Sequence, residues 1–135
     1  MSHLFGDCRP VAGLLIPLVL GCFVLLPRAQ AVVPAPDGGY PNWNTAEGTN
    51  ALFRLTNGIY NTALGGQALY SITGGSYNTA VGLNALYSNN GWYNTANGFE
   101  TLFHNTNGTT NTAHGAFALF GNTGSGNIAD GYKAL

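Results

Sequence analysis

With 135 residues, 14.1 kDa, 7% charged residues and a net charge of −1, the chain lacks the basic footprint that nucleic-acid binding requires. Its 45% apolar and 12% aromatic content excludes a solvated, disordered tail. The length suits one domain at most.

The first segment reads as an address. An apolar run from Val11 to Leu26 is followed by Pro27-Arg28-Ala29-Gln30-Ala31. Sixteen apolar positions are short of the roughly 20 a membrane span needs, but they suit the hydrophobic centre of a secretory signal. Ala29 and Ala31 are the small residues a signal peptidase accepts, which puts cleavage after Ala31 and residues 1–31 in a signal peptide. Two alternatives compete with it. One is an uncleaved anchor. The other is a lipoprotein signal, because Val19-Leu20-Gly21-Cys22 resembles a lipobox. Both cysteines, Cys8 and Cys22, fall in this segment, so a mature chain would carry no disulfide. The mature protein is expected to be secreted, extracellular or on a bacterial cell surface, with no membrane span.

Residues 32–43 form a proline-rich, extended lead-in, and no proline follows Pro41. A continuous hydrogen-bonded ladder would impose that restriction. The mature charges are Asp37, Glu47, Glu100 and Asp130 against Arg54 and Lys133, a net of −2.

From residue 44 to 135 the chain repeats itself six times, with spacings of 16 or 17 residues. A full unit reads Asn-Thr-Ala-x-Gly-x-x-Ala-Leu-(Tyr/Phe), and the sixth, opening Asn127-Ile128-Ala129, is an imperfect and incomplete copy. Position 1 is Asn44, Asn61, Asn78, Asn94, Asn111 and Asn127. Position 3 is always Ala and position 5 always Gly. Position 9 is Leu52, Leu69, Leu86, Leu102, Leu119 and Leu135. Position 10 is Phe53, Tyr70, Tyr87, Phe103 and Phe120.

A unit this short cannot hold a helix pair, and its glycines weaken helices. Two short strands and two turns fit, stacked so that each position forms a ladder with itself. The expected fold is all-β: a β-solenoid, or β-roll, of 16–17-residue coils. Strand alternation predicts Asn at 1 and Ala at 3 on one face, with Leu at 9 opposite Ala at 8 and the aromatic at 10. The simplest packing puts Ala 3, Leu 9 and an Asn ladder inside and the five position-10 rings outside. At about 4.8 Å per coil those rings make an apolar stripe about 20 Å tall, which monomers rarely expose. Self-association through this row is the expectation.

The repeat resembles the heads of trimeric autotransporter adhesins, the YadA-like and haemagglutinin-type repeats, and related bacterial and phage-fibre proteins. Asp37-Gly38-Gly39-Tyr40-Pro41, ahead of the first Asn44-Thr45-Ala46-Glu47-Gly48, is similar to the usual start of such arrays. The resemblance implies a left-handed β-roll, a homotrimer and adhesion to a surface receptor or glycan. Those heads have slightly shorter units. The chain stops mid-unit at Ala134-Leu135, which suggests either a truncated product or a stack continued on another molecule.

Catalytic constellations are sparse. His104 falls at position 11 and His114 at position 4, so stacking does not pair them into a metal site. No nucleophile elbow or phosphate loop is present, and no cofactor is implied. Two rows suggest other roles. Thr45, Thr62, Thr79, Thr95 and Thr112 resemble an ice-binding array, and Tyr60, Tyr77, Trp92 and Tyr93 suit sugars. The leading expectation is a structural or adhesive surface module without catalysis. Carbohydrate or ice binding is the alternative.

Overall fold

The structure, a computed structural model, describes residues 40–135. The signal segment, its cleavage after Ala31, both cysteines and residues 32–39 lie outside the described residues.

The described chain is a β-solenoid. Its strands are β1 (Thr45–Glu47), β2 (Thr62–Leu64), β3 (Thr79–Val81), β4 (Thr95–Asn97), β5 (Thr112–His114) and β6 (Ile128–Asp130). They form one six-stranded parallel sheet in sequence order. Register follows the repeat without slippage: Thr45 pairs with Thr62, Thr62 with Thr79, and Ala63 with Ala80. Two-way ladders join the coils. The Thr79 N–H donates to the Asn94 carbonyl at 2.8 Å, and the Gly82 N–H donates back to the Leu64 carbonyl at 2.8 Å. A one-residue change in unit length is absorbed in the loops, so 16- and 17-residue coils stack in the same register.

The expected second strand does not form. Each coil has a single three-residue strand. Positions 5, 7 and 9 explain why, since all three have positive φ. In the third coil Gly82 is at 128°, Asn84 at 59° and Leu86 at 53°. Residues of positive φ alternating with residues of negative φ abolish the period-2 alternation of a strand. The expected opposition of Ala 8 and Leu 9 fails for the same reason: Ala85 and Leu86 are both fully buried. Inter-coil bonding nevertheless continues through this turn, with the Leu86 N–H donating to the Thr101 carbonyl at 3.0 Å. The neighbouring coils therefore hold a backbone that L-residues adopt only at a cost of roughly 1–2 kcal/mol each.

The interior is thin. Ala at positions 3 and 8 and Leu at 9 fill it, with Ile72 beside them. Thr101 replaces Ala at position 8, and its buried hydroxyl donates to the Gly115 carbonyl at 2.6 Å. Leu135, on the last rung, is 83% exposed rather than part of the buried row.

Two glycine rows set the spacing. At position 5 the backbone is left-handed, and a Cβ on Gly82 would lie 2.5 Å from the Gly98 carbonyl oxygen. The glycine three residues before each Asn has a different reason. None of Gly58, Gly75, Gly91, Gly108 and Gly124 has positive φ. What it supplies is close approach: a Cβ on Gly75 would lie 2.6 Å from the Gly91 carbonyl oxygen.

At the first coil, Pro41–Trp43 makes a 3-10 turn where an extended lead-in was expected. Asn42 and Trp43 have positive φ, which bends the chain onto the coil. The Tyr40 N–H donates to the Asn44 carbonyl at 3.2 Å, and the Asn42 carbonyl accepts from the Tyr60 N–H at 3.2 Å. The Tyr40 N–H thus takes the place on the Asn44 carbonyl that a threonine N–H takes on the asparagine carbonyl in later coils.

Candidate functional site: aromatic and hydroxyl rows on the solenoid surface

Position 10 follows a left-handed leucine, which turns its own side chain inward and the next one out. Phe53, Tyr70, Tyr87, Phe103 and Phe120 stack with centroid spacings of 5.3, 5.0, 4.9 and 5.3 Å. The first three pairs are parallel within 4°. Four rings are half-buried, while Phe53, at the end of the stack, is 63% exposed. The rings lie across the solenoid axis. Neighbours cover their faces, and their edges meet solvent. Phe117 extends this patch by edge contacts to Phe120 at 5.8 Å and to Phe99 at 5.1 Å. Lys133 caps it from 5.9 Å over the Phe117 ring. The sequence did not single out this side cluster, because positions 6 and 7 vary between units.

A second stack runs along the residue before each Asn. Trp43, Tyr60, Tyr77 and Tyr93 are spaced by 6.5, 5.2 and 5.0 Å. Trp92 stands beside Tyr93 at 56° and is 48% exposed, which leaves its ring outside the parallel stack. The row ends at Thr110 and Gly126, which have no ring. Two residues further along the chain, the threonines of β1 to β5 form an in-register row. None of the hydroxyls of Thr62, Thr79, Thr95, Tyr60, Tyr77 or Tyr93 is engaged in a hydrogen bond within the chain. The adjacent outward row is mixed, running Leu64, Val81, Asn97 and His114. The threonine row is thus single, not one of two matched rows.

Inside, the position-1 asparagines form a continuous amide ladder. The Asn61 Oδ1 accepts from the Asn78 backbone N–H at 3.0 Å and from its Nδ2 at 3.1 Å. Asn78 Nδ2 also donates to the Gly91 carbonyl at 2.9 Å. The same pattern recurs at Asn44, Asn94, Asn111 and Asn127. A second ladder at position 12 was missed in the sequence. Leu55 and Ile72 hold that position in the first two coils, but Asn89, Asn105 and Asn122 follow. Asn105 Nδ2 donates to Asn89 Oδ1 at 3.1 Å, and Asn94 Nδ2 donates to the same oxygen at 3.2 Å. The only signal was the change from aliphatic to Asn at one repeat position. From Asn44 to Asn111 these amides are buried scaffolding, and only Asn122 and Asn127 at the last rung reach solvent.

The histidines stay apart in role. His104 packs edge-on against Phe103 and Phe120 at 4.8 and 5.0 Å, and His114 lies on the outer side of β5. Among the described residues no group of three or more His, Cys, Asp or Glu could hold a metal. No helix among them is long and apolar enough to cross a membrane. The chemistry this surface offers is contact: ring edges, hydroxyls and apolar area repeated once per coil.

The chain matches no protein-family model, and comparison with curated proteins and with solved structures finds no match.

Proposed function

We propose that the solenoid is a secreted or cell-surface structural module that assembles through its position-10 aromatic stack and acts in adhesion without catalysis. The five-ring stack carries this reading. Fully burying a Tyr or Phe side chain is worth about 1.5–3 kcal/mol, and these half-exposed rings hold part of that in reserve. Three of the five are Phe, which no hydrogen bond ties to solvent, and the Phe99–Phe117 cluster continues the patch. A lateral partner must present matching features once per coil. A second copy of this chain does so by construction. The resemblance of the repeat to adhesin heads supports three copies in the assembly.

The test is a triple substitution, Tyr70→Ser, Tyr87→Ser and Phe103→Ser, read by analytical ultracentrifugation. The rings lie outside the coil, so the change leaves the interior intact. The expected result is conversion of oligomer to monomer, or to unfolded chain where assembly sustains the fold. A triple variant that stays assembled and equally heat-resistant refutes this interface. A wild-type chain that is a stable monomer refutes the assembly altogether.

A further inference from the structure

Beyond that assembly, a separate face of the solenoid has the chemistry of a ligand site. We infer that the rows Tyr60, Tyr77, Tyr93 and Thr62, Thr79, Thr95 bind an extended, neutral, β-1,4-linked polysaccharide laid along the solenoid axis. The inference does not depend on the position-10 interface.

Three observations carry it. The first is unspent polarity. These six side chains lie on three consecutive rungs, and their hydroxyls make no hydrogen bond within the chain. Covering the face with a dry protein surface would strand them as buried unpaired groups. A sugar polymer brings its own hydroxyls to pair with them. The second is charge. The strand residues of these rungs, continuing through Leu64, Val81 and Asn97, carry none; Glu47 and Asp130 lie on the first and last strands, and Glu100 lies in the turn after β4. An anionic polymer gains no salt contact here, so a neutral one fits. The third is spacing. The tyrosine rings repeat every 5.0–5.2 Å along the axis. A β-1,4-linked hexopyranose ribbon advances by close to one such rung per sugar, so it meets the same pair of hydroxyls at every step. An α-linked chain coils away from that register.

The stacked tyrosines cover one another's faces, so they engage the polymer by their edges and hydroxyls. Trp92, tilted 56° from Tyr93 and half exposed, offers the open ring face on which one pyranose can stack. Each rung alone is weak. Repetition on one rigid scaffold raises the overall affinity by effective concentration.

The experiment titrates the full mature chain with soluble cello-oligosaccharides of increasing length, with malto-oligosaccharides as the α-linked comparison, followed calorimetrically. Affinity is expected to rise with cello-oligosaccharide length until the tyrosine rungs are filled, while the malto series does not bind. The triple variant Tyr60→Phe, Tyr77→Phe, Tyr93→Phe keeps the ring stack and removes three hydroxyls. With each hydrogen bond worth about 0.5–1.5 kcal/mol, it is expected to weaken binding about tenfold or more. Unchanged melting of that variant shows that the fold is kept. Should melting fall, Trp92→Ala, a substitution on the exposed surface, repeats the measurement with the same expected direction. Failure of every cello-oligosaccharide to bind overturns the inference. So does equal affinity for the malto series, or binding untouched by both variants. Sedimentation of the same variants reads the position-10 assembly independently, so failure of one reading is distinguishable from failure of the other.

Discussion

The Asn78 side-chain oxygen accepts two hydrogen bonds from Asn94 in the next coil, from its backbone N–H at 3.0 Å and from its Nδ2 at 3.1 Å. One amide thus bonds both the chain and the corresponding side chain above it. Asn78 is fully buried, so neither donor of Asn94 finds water when the acceptor is lost.

Asn78→Ala is therefore expected to destabilise the solenoid by about 2–4 kcal/mol, from stranded groups worth about 1–3 kcal/mol each. Asn94 Nδ2 retains Asn89 Oδ1 and the Gly108 carbonyl, so most of the loss falls on its backbone N–H. The Asn61 Oδ1 loses its Nδ2 donor as well and keeps only the backbone N–H of residue 78. Denaturant unfolding followed by circular dichroism measures it. A loss below about 0.5 kcal/mol, typical of a surface change, would show the ladder to be ornamental.

Gly82→Ala is expected to abolish folding or cost upwards of about 3 kcal/mol. It combines a left-handed φ of 128° with a Cβ placed 2.5 Å from backbone of the next coil. No side chain can move aside there, because the obstruction is a carbonyl. Gly121→Ala is the comparison: nothing lies within 4 Å of its Cβ, and it should leave the thermal midpoint within a degree or two.

How much of this was open to sequence reading follows from those positions. Asn 1, Ala 3, Gly 5 and Leu 9 recur in every unit, so the repeat, the β-solenoid and the inward residues were legible. The second strand was misjudged because alternation assumes extended backbone, and Leu86 at φ 53° is not extended. Nothing in a leucine announces left-handed geometry. The inter-coil hydrogen bonds impose it. The glycine before each Asn was visible, but its reason, closeness to the coil above, depends on a contact far along the chain. What surrounds each ring row was not legible either. Tyr60 and Tyr70 look alike in sequence, yet one stack belongs to a hydroxyl-lined face and the other adjoins the Phe99–Phe117 cluster.

Thr110→Gly is expected to stabilise the protein by about 1 kcal/mol, despite removing a side chain. Thr110 sits at φ 56°, a conformation that a β-branched residue resists, and it is exposed. The equivalent place in the next coil is Gly126, at φ 74°. The gain from relieved strain exceeds the extra entropy glycine gives the unfolded chain, about 0.4–1 kcal/mol. A rise in the denaturant midpoint at constant slope is the signature. A fall would mean that the threonine methyl or hydroxyl makes a stabilising contact.

Asn105→Ile, at the position held by Ile72 in the second coil, is expected to be nearly neutral, within about 1 kcal/mol, although Asn105 is fully buried. The reason is redundancy. Asn111 Nδ2 has three acceptors for two protons: Asn94 Oδ1, Asn105 Oδ1 and the Gly124 carbonyl. Losing the Asn105 oxygen leaves both protons placed. The Gly108 carbonyl keeps its bond from Asn94 Nδ2 at 2.9 Å. Asn89 Oδ1 keeps its bonds from Asn94 Nδ2 and the Gly91 N–H. No group is orphaned, and apolar area replaces an amide. Asn111→Leu, one ladder away, should cost several-fold more, because the Asn127 N–H has the Asn111 oxygen as its acceptor, the Asn127 Nδ2 is left with Asn122 Oδ1 alone, and Asn94 Oδ1 loses its Nδ2 donor. Equal losses at the two sites would show that buried amide count, not satisfaction of particular partners, governs stability in this interior.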